Sequence, residues 1–126
     1  MRLINFFIGR INSFKPAFQG ISYLTKNEKN TWVHLIATIL AILLILYLQL
    51  NLIQTLFIIT AIFLVWITEL FNTAIEYVLD FVHPENNNSI KIIKDMSAAS
   101  VLLAAVYAII VAIVILAPKA YAILFP

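Results

Sequence analysis

Glu69, Asn72, Glu76 and Asp80 interrupt an otherwise apolar stretch at steps of three, four and four. On an α-helix turning 100° per residue they fall within about 80° of one another, so three carboxylates and an amide share one face. Such a stripe can accept a proton, hold a divalent cation or line an ion path. The 14 residues before it, Thr55–Thr68, are apolar and rise about 21 Å as a helix. If that run crosses a bilayer, Glu69 lies near the inner edge of the hydrocarbon. Asp80, about 16 Å further on, then lies in water.

An acid at the membrane core costs about 2.5–3.5 kcal/mol, and three like charges on one face also repel. Two kinds of group can compensate. Lys91 and Lys94, in the stretch that follows, can form structural ion pairs. Alternatively, a Mg²⁺ ion can take one or two carboxylates and complete its shell with water and substrate phosphates. Ion pairing accounts well for Asp80. It accounts poorly for Glu69, where Leu would serve a purely structural purpose at lower cost.

Two further clusters sit beside the stripe. In Lys91-Ile-Ile-Lys94-Asp95 the Lys94 ammonium suits a phosphate, and Asp95 suits a helix N-terminus, where orphan amides favour an anion. Lys26-Asn-Glu28-Lys-Asn30 reads by itself as a solvated charge run, but it belongs at the same interface as Glu76 and Lys94. His34 fits a hydrogen-bonded interface residue better than a ligand, and His83-Pro84 fits a turn. Trp32 and Trp66 suit interfacial anchors.

The elements that must position these groups follow from composition. Of 126 residues, 63% are hydrophobic and 11% charged, too apolar for a soluble monomer and too apolar for disorder. There is no cysteine, which excludes disulfides and thiolate chemistry, and two glycines cannot build a phosphate-cradling glycine loop. A net charge of +2 gives no reason to expect nucleic acid. No cleaved signal peptide is expected. The apolar runs predict an all-α integral membrane protein, a single domain over 1–126, with helices at 32–50, 55–82 and 96–117, the last stopped by Pro118.

Residues 3–24 differ from these runs. Phe7, Ile11, Phe14, Phe18 and Ile21 recur at helical steps beside Arg10 and Lys15, which predicts an amphipathic helix on the membrane surface, kinked or split at Pro16. Ser97, Ser100, Ala104 and Ala108 make a row of small residues that lets helices approach closely. Seven of the eight basic residues precede the first span or lie between the second and third. The positive-inside rule then places the N-terminus in the cytoplasm and the C-terminus outside.

The string E-L-F-N-T-A-I-E-Y-V-L-D at 69–80, followed by K-I-I-K-D-M-S-A-A-S-V at 91–101, resembles the prokaryotic diacylglycerol kinases, a family that includes undecaprenol kinases. Glu28 and Asn30, together with Phe14, Ala17, Phe18, Gly20 and Ile21, extend the resemblance over nearly the whole chain. It implies a homotrimeric kinase in the bacterial inner membrane that moves the γ-phosphoryl group of ATP to a lipid hydroxyl. By motif position Glu69 would be the general base, with Asn72 beside it, and Glu28 and Glu76 would hold Mg²⁺. Lys94 and Asp95 would contact ATP, and Glu85, Asn86 and Asn87 would line its adenosine side. Trp32 stands where family members often carry arginine, and His34 is closer to the undecaprenol-kinase branch. Diacylglycerol is the expected acceptor, with undecaprenol as the alternative. A small ion-coupled transporter or channel subunit is the rival from another class, although transporters place such acids nearer the midplane, often on broken helices.

Overall fold

The computed structural model describes residues 2–83 and 87–125, with side chains from residue 14 onward except that of Leu124. Among the described residues every regular element is an α-helix: α1 (Arg2–Asn27), α2 (Lys29–Tyr47), α3 (Leu52–Val82) and α4 (Asn88–Leu124). The latter three are each long and apolar enough to cross a membrane. The chain is a multi-pass, all-α membrane protein, as the apolar runs predict. It divides into two compact units, residues 1–33 and 34–126.

In the first unit α1 is one helix with Pro16 inside it, where two short helices were an expected alternative. Proline removes a single N–H bond, and intact turns on both sides carry the helix past it. Phe14, Phe18 and Ile21 are exposed, so the second half of the apolar stripe has no protein cover; the side chains of Phe7 and Ile11 lie outside the described set. Glu28 separates α1 from α2, and its backbone N–H still donates to Leu24 O at 2.9 Å.

In the second unit α2 ends where Gln49 takes the left-handed conformation, φ 47°. Leu50 N–H then donates to Ile45 O at 3.2 Å and Gln49 N–H to Leu46 O at 3.4 Å, the bond pair that closes a helix with a Schellman turn. The stretch 51–54, between the helices expected at 32–50 and 55–82, is a capping box. Gln54 N–H donates to Asn51 Oδ1 at 2.9 Å, and Asn51 N–H donates to Gln54 Oε1 at 3.2 Å. Two orphan donors are thereby satisfied and α3 starts at Leu52, three residues before the expected Thr55.

Helices α3 and α4 pack side by side over a core of Ile58, Ala61, Val111 and Ile115, with Ala41 and Ile45 of α2 laid against it. Ala104 is buried and Ala108 joins the core, so part of the small-residue row is an α3–α4 packing surface. Two boundaries of α4 differ from expectation. It begins eight residues before 96 because Asn87 caps it, Asn87 Oδ1 accepting from Ser89 N–H at 2.9 Å. Asp95 is therefore inside the helix and does not cap it. The helix also continues through Pro118 to Leu124, since the alanines and aliphatic residues beyond it rebuild the bonding after one lost donor.

Candidate active site

The stripe on α3 forms as one helical face, and each of its acids meets a different neighbour. Glu69 is 4% exposed, the one carboxylate among the buried described residues. His34 of α2 reaches it, Nε2 to Oε2 at 3.5 Å. One turn toward the C-terminus, Asn72 Nδ2 donates to Glu76 Oε1 at 3.0 Å. Another turn on, Asp80 pairs with Lys94 Nζ of α4. Compensation is thus local and graded. An imidazole serves the buried acid, an amide serves the half-buried one, and an ammonium serves the acid that is exposed.

The cross-links have a common cause. His34 and Thr38 are one turn apart on α2, and Trp66 and Glu69 are one turn apart on α3. Trp66 Nε1 donates to Thr38 Oγ1 at 3.0 Å, one turn along both helices from the place where His34 meets Glu69. Trp66 thus ties two helices together, a role beyond the expected interfacial anchor. Sequence reasoning missed the His34–Glu69 pair. The signal available was that His34 and Thr38 are polar on one face of an apolar helix.

Other predicted site residues are placed as follows. Glu28 is half-buried at the α1–α2 junction of the first unit, and Lys94 is half-buried on α4. Asp95 is exposed on α4, and Asn87 is exposed at its N-cap. Glu85 and Asn86 lie outside the described residues.

The donor set suits a hard cation. Asn72 Oδ1 is buried without a hydrogen-bond partner, on the amide whose Nδ2 donates to Glu76. An amide oxygen and a carboxylate are oxygen ligands of the kind Mg²⁺ takes when water and phosphate complete its shell. Among the described residues no three His, Asp or Glu side chains gather into an all-protein metal cage. A second buried oxygen without a partner, Ser97 Oγ, lies on α4.

Residues 15–116 match the family described as prokaryotic diacylglycerol kinase. The chain belongs to that family. A curated relative, the diacylglycerol kinase of Synechocystis sp., is 36% identical over 107 residues, which cover 84% of this chain. The chain spans 61% of that relative's length. The match includes every element of the α3 stripe and its partners, so His34, Glu69, Asn72, Glu76, Asp80 and Lys94 all lie within the family region.

Proposed function

We propose that this chain is a lipid kinase that transfers the γ-phosphoryl group of ATP to the hydroxyl of diacylglycerol at the cytoplasmic face of the membrane. The observation that carries the reading is a buried carboxylate, Glu69, within two helical turns of the Asn72–Glu76 pair on the same face of a membrane helix. A lipid hydroxyl can approach from the hydrocarbon side and phosphates from the aqueous side. Family membership supports the same chemistry.

In this mechanism the acceptor hydroxyl attacks the γ-phosphorus, Glu69 takes the hydroxyl proton, and ADP leaves. Phosphoryl transfer asks a protein mainly for positioning and charge neutralisation. Glu76 and Glu28 would hold Mg²⁺, which would supply charge neutralisation for the phosphates. Asn72 orients Glu76 and offers its free oxygen beside it. Lys94 and Asp95 contact the nucleotide, and Glu85, Asn86 and Asn87 line the adenosine side.

The working protein is a homotrimer of single-domain protomers in the bacterial inner membrane, with the N-terminus cytoplasmic and α1 on the inner surface. Undecaprenol is the alternative acceptor, and His34 favours it through its likeness to that branch of the family. The test is transfer from labelled ATP in lipid micelles, with diacylglycerol and undecaprenol side by side. Label in phosphatidate supports the first reading and label in the polyprenyl phosphate the second. Label in neither lipid, with ion flux in liposomes that depends on Glu76, overturns both in favour of a carrier.

A further inference from the structure

We propose that His34 is a positioning residue for Glu69: its Nε2–H holds one carboxylate oxygen, so that the other faces the acceptor hydroxyl. The inference rests on the reading above, in which Glu69 is the base. Nε2 lies 3.5 Å from Oε2, and the two side chains are 18% and 6% exposed. That distance is long for a finished hydrogen bond. Catalytic hydrogen bonds commonly tighten only once substrate is present.

The contact is built into the helix pairing. On α2 His34 is one turn from Thr38, and on α3 Glu69 is one turn from Trp66. The Trp66–Thr38 bond joins α2 and α3 at that level. A shift of one residue on either helix would move Thr38 and His34 off their partners together. Two other side-chain donors near the stripe are engaged elsewhere: Asn72 Nδ2 donates to Glu76 and Lys94 pairs with Asp80.

The chemistry of imidazole explains why this residue type serves. A carboxylate next to Nε2 favours a proton on that nitrogen, so the ring acts there as a hydrogen-bond donor. With Oε2 held, Oε1 is left to receive the hydroxyl proton. A carboxylate that rotates freely would present a correctly aimed oxygen for only part of the time, and misplacement of about 1 Å costs up to about a hundred-fold in rate.

The experiment uses the full chain in detergent–lipid micelles, with labelled ATP and a lipid alcohol. His34→Ala is expected to lower kcat about ten-fold, with half-saturating ATP within about two-fold of the parent protein. His34→Gln, which keeps an N–H at similar reach, is expected to recover kcat to within about three-fold. On a Glu69→Gln background, His34→Ala is expected to change nothing further. Unaltered turnover of His34→Ala overturns the proposal, as does an equal fall of His34→Ala and His34→Gln.

The ring ¹⁵N spectrum reads the same contact without turnover. The chain has two histidines, His34 and His83, so assignment needs one variant. Glu69→Gln is expected to shift the His34 Nε2 signal and leave that of His83 in place. An unmoved His34 signal overturns the proposal. A chain that transfers no phosphate to any lipid removes the kinase reading, and the ring spectrum still decides whether His34 holds Glu69.

Discussion

Asn72 Nδ2 donates to Glu76 Oε1 at 3.0 Å, while Asn72 Oδ1 of the same amide is buried and unpartnered. An i, i+4 pair on one helix thus both orients an acid and leaves a hard oxygen donor free. Removing the amide should weaken cation binding without touching the lipid side. Asn72→Ala is expected to raise the Mg²⁺ needed for half-maximal turnover about ten-fold. A Mg²⁺ titration at fixed ATP checks this, and an unchanged requirement removes Asn72 from the cation site.

Glu69 poses the complementary case. Gln has the same shape and suits the buried position without a charge, so Glu69→Gln should fold as the parent does. Loss of the base is expected to lower kcat at least about a hundred-fold, the usual scale of general-base catalysis. Phosphate transfer from labelled ATP measures it. Parent-like turnover would show that the proton leaves by another route.

The bond from Trp66 to Thr38 holds α2 against α3 inside the apolar layer, so its loss should appear in stability. Thr38→Val and Trp66→Phe are each expected to cost about 0.5–1.5 kcal/mol, the range for side-chain hydrogen bonds between membrane helices. The double variant should cost less than the two single losses combined, because both remove one bond. Unfolding in detergent, followed by helical signal, gives all three values. Strict additivity would mean that the two residues act independently.

Lys94 and Asp80 are paired, yet they have different expected fates. The pair is partly exposed, at 34% and 64%, so breaking it should cost less than about 1 kcal/mol. Asp80→Asn is expected to leave half-saturating ATP within about two-fold. Under the proposed role of Lys94 as a phosphate contact, Lys94→Met is expected to raise it about ten-fold. Kinetics against ATP separate the two outcomes, and equal behaviour would make Lys94 a structural partner of Asp80.

Much of the site is legible before folding. Glu69, Asn72, Glu76 and Asp80 share a face because helical periodicity alone puts them there. Helix ends were harder to read. Asp95 has the chemistry of a cap, but Asn87 is the residue whose Oδ1 accepts from the helix, so α4 begins earlier. Pro118 looks like a stop, yet one missing donor does not end a helix whose following residues still bond.

Hydrophobic length, helical period and the placement of acids on one face are local properties, which a single segment carries in its own residues. The partner of each acid is not local. His34 is 35 residues from Glu69, and Lys94 is 14 from Asp80. Those meetings depend on the register in which apolar helices pack, set by Ile58, Ala61, Val111 and Ile115 and by one indole bond to Thr38. The amino-acid order therefore determined which residues stand on the stripe. Tertiary packing decided that the buried acid meets an imidazole and the exposed one an ammonium.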